Sequence, residues 1–167
     1  MSNRTSWTAG NGQGLTWGAA FNSSDLASLA SGHSVMSSVA DIANQTNLDM
    51  FADVAIELAI ASTTLTAGAV ASLYIFDKFG IDGSNSYYGD NSLPSGTQEA
   101  YLPNYGLAGV CAPTITGAAQ TVVTLLFKQI IIPPRAFRFA FANSLGVTLG
   151  SGTQYASYVT YNLNLND

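Results

Sequence analysis

Residues 48–61 read Leu48-Asp-Met-Phe-Ala-Asp-Val-Ala-Ile-Glu-Leu-Ala-Ile-Ala61. Leu48, Met50, Val54, Ile56, Leu58 and Ile60 share one parity. Asp49, Asp53 and Glu57 share the other. A period of two over this length predicts a β-strand with one buried face and one wet face. A helix would scatter the same residues around its circumference.

The same period recurs along the chain. Leu15–Phe21 reads as a first strand, with Trp17 and Phe21 on one parity. Asn22-Ser-Ser-Asp25 supplies capping residues for a helical turn through Leu26 and Leu29, closed by Gly32. A short strand is expected over Ser34–Ala40. Gly68–Phe79 carries Val70, Tyr74 and Phe76 on one parity and Leu73, Ile75 and Phe79 on the other, so both of its faces are expected to be covered. With the turn over 62–68, it is predicted to pair with the 48–61 strand as an antiparallel neighbour.

Downstream, Gln120–Ile132 places Val122, Leu126 and Ile130 opposite Val123, Leu125, Phe127 and Ile131. Pro133-Pro134 ends it, because neither residue donates to a ladder. Phe137, Phe139 and Phe141 then alternate with Arg138, Ala140 and Ala142, which aims the aromatic side at the core. In Gln154–Asn166, Tyr155, Val159, Tyr161, Leu163 and Leu165 face one way. About seven strands with almost no helix fit an antiparallel β-sandwich. One all-β domain is expected over 15–167, preceded by an extended N-terminal arm, 1–14, bearing Trp7. Residues 80–112 show little periodicity and read as a long loop excursion from one end.

Charged residues make up 9% of the 167-residue chain, against about 25% in a typical soluble domain. Two readings fit such a deficit, and both can hold together: a surface of Ser, Thr, Asn, Gln and Gly, or a surface covered by partner subunits, where charge is costly to desolvate. The net charge is −5, with Arg4, Lys78, Lys128, Arg135 and Arg138 the basic residues. Five scattered cations build no basic patch, so no nucleic-acid partner is expected. No apolar run approaches a membrane span, so no membrane partner is expected either. The N-terminus lacks an apolar signal core, which predicts synthesis in a cytoplasm and no secretion by the usual route.

Chemistry is hard to find in these residues. His33 is the single histidine and Cys111 the single cysteine. His33 reads as a turn residue, and Cys111 as a small apolar residue with no cation nearby in sequence to lower its pKa. Asp77, Asp82, Asn85 and Asp90 lie on a Gly-rich stretch, but their spacing misses the EF-hand pattern. Asp and Gly there serve turns. Asp49, Asp53 and Glu57 would spread over roughly 26 Å of strand, too far for a paired-carboxylate site. No catalytic residue, metal site or cofactor is assigned. Trp7, Trp17, Tyr87, Tyr88, Tyr101 and Tyr105 are the interface candidates, because aromatic side chains anchor protein contacts and also stack on sugars.

Several phrases carry a resemblance. They are Leu26-Ala-Ser-Leu-Ala-Ser-Gly32, Ser37-Ser38, and Asn44-Gln-Thr-Asn-Leu-Asp-Met-Phe-Ala-Asp-Val54. Leu73-Tyr-Ile-Phe76, Asp82-Gly-Ser-Asn-Ser-Tyr-Tyr88, Pro133-Pro-Arg-Ala-Phe-Arg-Phe139 and the Tyr-rich closing strand complete the set. Over most of 15–166 the chain resembles small virion structural proteins of tailed bacteriophages. The resemblance implies a jelly-roll-like capsid decoration or cement protein. It also implies a non-enzymatic role, the major capsid protein as partner, self-association into a homo-oligomer, and a place on the capsid surface. A tail or baseplate component built on the same sandwich is the first alternative. A carbohydrate-binding module using the excursion tyrosines is the second.

Overall fold

Among the described residues, ten strands and one helical turn build two antiparallel sheets. The structure, a computed structural model, describes residues 4–8, 15, 17–61, 65, 68–79, 86–87, 106–113 and 122–166. Of residues 4–8, 79, 86–87 and 164–166 only the backbone is described.

The first sheet runs β1(Arg4–Thr8), β10(Tyr155–Asn166), β4(Phe51–Ala59), β8(Val122–Ile131), and β2(Gly18–Ala19) also pairs with β10. The second runs β3(His33–Met36), β9(Phe137–Ser144), β5(Val70–Phe79), β6(Ser86–Tyr87), and β7(Leu107–Cys111) also pairs with β5. From β2 to β5, and again from β7 to β10, each strand crosses to the opposite sheet. The all-β sandwich read from the sequence is the fold, and residues 4–8 of the expected arm are one of its strands.

The core is the space between the sheets. Val54, Ile56, Leu58 and Ala52 of β4 project into it, as do Val123, Leu125 and Phe127 of β8. Phe137, Phe139 and Phe141 answer them from β9, all fully buried, as their alternation predicted. Phe139 meets Phe137 edge-on, with ring centroids 5.4 Å apart, and lies against Tyr158 of β10 at 5.9 Å. β5 is covered on both faces, as expected. Leu73 enters the core, and Phe76 packs with Ala140 and Ala142 in a smaller cluster on the other side of the sheet.

Four expectations need correction. First, β4 and β5 are not neighbours; they lie in different sheets. Ten residues separate Ala59 from Val70, too many for the usual two to five of a hairpin loop. The connection instead sends Ile60, Leu65 and Ala69 into the core.

Second, the alternation of the 48–61 stretch begins only at Phe51. Leu48 and Met50 are more than half exposed, while Asp49 is buried. The cause is a turn before the strand, in which Leu48 takes φ +51°. The Asn44 side chain holds this turn, accepting from the Asp49 amide and donating to the carbonyls of Asp49 and Pro133, each at 2.8 Å. The Asp49 carboxylate is taken up in turn by the Thr160 hydroxyl at 2.6 Å and the Asn162 amide at 3.2 Å. Asn44→Ala would leave three backbone groups unpartnered at a buried site. The expected cost is roughly 2–3 kcal/mol, read as a lower denaturant midpoint at unchanged m-value.

Third, the excursion contains two strands of the second sheet, the two-residue β6 and the longer β7. β7 was illegible because glycine dilutes its pattern. Gly106 takes φ +97°, and a Cβ there would sit 2.5 Å from the Ile75 carbonyl. A Cβ on Gly109 would press the Phe127 ring at 3.2 Å. Glycine is what lets β7 lie close to β5 and across to β8. Fourth, Leu15–Phe21 contributes only the two-residue β2. Phe21 is buried edge-on against Phe141, whereas Trp17 is exposed.

The helical turn α1(Ser23–Leu26) is tied down by Asp25. Its carboxylate accepts from the Asn22 amide at 2.9 Å and from the amide and hydroxyl of Ser38 at 2.9 and 2.6 Å. It ends at Leu26, short of Gly32, which serves a later turn at φ +81°. On the outside of the second sheet, Asp41 accepts from Lys78 and Arg138 at 2.5 Å each.

Asp77 has a different environment. One of its oxygens is buried without a hydrogen-bond partner, and Arg135 stands 3.9 Å from the other. Burial pushes its pKa above the ordinary carboxylate value, outweighing the opposing pull of Arg135 and of the Lys78 amide. The folded protein therefore holds this proton more tightly than the unfolded chain. Asp77 favours folding below its ordinary pKa, and that contribution is lost as pH rises through the folded-state value. Asp77→Asn should melt higher than the parent at pH 7, and the difference should shrink as pH falls through the folded-state value and vanish only below the ordinary carboxylate pKa, at about pH 3. Melting curves across that range test the sign.

Candidate functional site: an apolar sheet face

Registry defines what the first sheet shows on its outer face. Ala52, Val54, Ile56 and Leu58 point inward, so Phe51, Asp53, Ala55 and Glu57 point out. Ile131 and Tyr161 flank Phe51, Leu126 and Ser157 flank Ala55, and Thr124 and Tyr155 flank Glu57. Ile131 is 79% exposed, Tyr155 60%, and Leu126 45%. Val122 lies farther along β8, opposite Ala59, and is also exposed. Leu163 extends the same parity of β10 beyond the end of β4. An outer sheet face would ordinarily carry polar side chains. Here branched aliphatic and aromatic groups take most of those positions.

A β-bulge sets which residues reach this face. Lys128 and Gln129 together oppose the single residue Asp53, and Gln129 takes φ +54°. One inserted residue reverses the parity downstream. Val123, Leu125 and Phe127 therefore point inward, as do Ile130 and Ile132, while Ile131 is turned out. Simple alternation groups Ile131 with Phe127 and Ile130 with Leu126, and the bulge breaks that grouping. The bulge is pinned by Asp53, whose Oδ1 accepts from the Gln129 amide at 2.8 Å and from the Tyr161 hydroxyl at 2.7 Å. Burial, followed by that hydrogen bond to a carboxylate, drives the Tyr161 phenol far above its ordinary pKa. The Tyr161 ring also stacks on Phe51, with centroids 6.0 Å apart.

The interface candidates divide. Trp17 is 53% exposed and stands beside the outer face of β10 and β4. Trp7 lies on β1 opposite Leu163, where the backbone alone is described. Tyr87 lies on β6 opposite Lys78, again as backbone. Tyr88, Tyr101 and Tyr105 fall outside the described residues. Ile131, Leu126 and Tyr155 were not singled out from sequence. Apolar residues fall on both parities of β8, so which of its isoleucines is turned out is not legible until the bulge is seen.

The residues considered for chemistry are scattered. His33 heads β3 opposite Asn143, with its Nδ1 buried and unpartnered. Cys111 is half-buried at the end of β7 and packs against the core. Asp53 and Glu57 lie on the outer face, but Asp49 is in the buried clip. Of the loop set, Asp77 faces Arg135, while Asp82, Asn85 and Asp90 lie outside the described residues. Among the described residues no group of three His, Cys, Asp or Glu side chains is placed to hold a metal ion, and no helix is long and apolar enough to cross a membrane. No protein-family model, curated protein or solved structure matches this chain.

Proposed function

We propose that this chain is a non-enzymatic structural protein of a tailed-bacteriophage virion. In this reading it decorates the capsid and stabilises it by bridging copies of the major capsid protein, acting as a homo-oligomer on the capsid surface after synthesis in the host cytoplasm. The observation that supports it best is the set of exposed apolar side chains on the outer face of the β10–β4–β8 sheet, Ile131, Leu126, Val122 and Tyr155, since exposed apolar surface marks interaction sites. The crossing of successive strands between sheets fits the jelly-roll winding that the resemblance implies.

The physics of such a role is linkage. A protein that binds the assembled shell and not its free subunits shifts the equilibrium toward the shell. Broad apolar contact with few charges suits that task, because little has to be desolvated unpaired. The test is to strip the protein from purified particles and challenge them with heat and osmotic shock. Stripped particles should break at lower temperature, and adding the protein back should restore them. Equal resistance with and without it would refute cementing.

A further inference from the structure

Beside the bulge the outer face is not flat. A pocket of about 520 Å³ opens there, within the range typical of small-molecule sites. Val159 and Tyr161 line it from β10, and Asp53 from β4. Leu15 and the half-exposed Trp17 form a further side, and Lys128 and Gln129 of the bulge complete it.

Its polar groups are fixed but incompletely used. Asp53 Oδ1 is held twice, by the Gln129 amide and the Tyr161 hydroxyl, which locks the carboxylate in place. Among the described residues, Oδ2 has no hydrogen-bond partner and Lys128 has no ion-pair partner. The pocket thus presents a fixed acceptor and a separate cationic donor beside an exposed indole.

That combination discriminates between occupants. An apolar side chain from a protein partner would bury the carboxylate oxygen and the ammonium without partners, which is costly. An anion would gain at Lys128 and be repelled by Asp53, and a cation would meet the reverse. A neutral molecule rich in hydroxyl groups satisfies both at once, donating to Asp53 and accepting from Lys128. Its C–H face would lie on Trp17, as amphipathic rings do on indoles. We infer that this pocket binds a neutral saccharide, with Trp17 as platform, Asp53 as acceptor, and Lys128 and Gln129 as donors. This is an activity distinct from shell binding, at residues other than the excursion tyrosines.

The isolated 167-residue protein, labelled with 15N, should be titrated with glucose, galactose, mannose, N-acetylglucosamine, maltose and cellobiose. At least one should shift the amide signals of Asp53, Gln129 and Val159 saturably, with affinity on the order of millimolar. Trp17→Ala and Lys128→Ala each remove an exposed side chain, so both variants should keep the parent spectrum elsewhere. Each should weaken binding by about tenfold or more. Absence of any saturable shift across the panel would overturn the inference, and so would binding unchanged in both variants. It would also fail if Trp17 were protected on assembled particles while no sugar bound the isolated protein, since the pocket would then be a protein-anchor site. Because the titration uses no particle, its outcome is independent of the cementing experiment.

Discussion

If the chain binds a shell as proposed, Ile131→Asp should weaken that attachment by roughly 30-fold or more while leaving the fold intact. Ile131 is the most exposed large apolar residue described, at 79%, so its replacement should change folding stability by no more than about 0.5 kcal/mol. If the outer face docks, however, the new carboxylate is buried against apolar groups with no partner. Such a charge costs several kcal/mol, and even about 2–3 kcal/mol is a loss of roughly 30- to 150-fold in affinity. Co-sedimentation with stripped particles measures it. Val110→Asp is the control, because Val110 is 57% exposed on β7 of the other sheet. It should bind like the parent. Equal binding of Ile131→Asp and Val110→Asp would remove the β10–β4–β8 face from the interface.

Phe139→Ala should be the most damaging single change to the fold. The ring is fully buried and contacts Phe137 within its own strand and Tyr158 across the sandwich. Truncation removes its transfer free energy and leaves a cavity between two β-sheets that cannot easily close. The expected loss is about 3–5 kcal/mol. Against a total of about 5–15 kcal/mol for a domain, that is a large share of the stability. At about 2–4 °C per kcal/mol for a chain of this size, melting should fall by roughly 6–20 °C. Phe139→Leu keeps most of the volume and should lose far less. A loss under about 1 kcal/mol for Phe139→Ala would mean that the core is not packed through this ring.

The contrast between these two residues shows what the sequence made legible. Phe137, Phe139 and Phe141 alternate with small or charged residues, so their burial could be read directly. The same held for β4 from Ala52 onward. Ile131 could not be read that way. Ile130, Ile131 and Ile132 are chemically identical, and only the Lys128–Gln129 bulge decides which one is turned out. A bulge is set by backbone conformation and by the reach of the Asp53 carboxylate across to the neighbouring strand, and neither leaves a period in the sequence. β7 was hidden for a related reason: its glycines are required by close approach to β5 and Phe127, contacts distant in sequence. Trp17 was recognisable as an interface residue by type. Its place beside Asp53 and Lys128 depends on strand pairings more than 30 residues away.

β10 comes last among the ten described strands, yet it lies inside its sheet, with β1 and β2 on one side and β4 on the other. The first sheet therefore cannot close until β10 has left the ribosome. Most strand partners are far apart in sequence, which places the chain among slow folders, on the millisecond-to-second scale. Chains truncated before Tyr155 lack the strand that joins β1, β2 and β4, and should be cleared by cellular proteases instead of accumulating as partly folded intermediates.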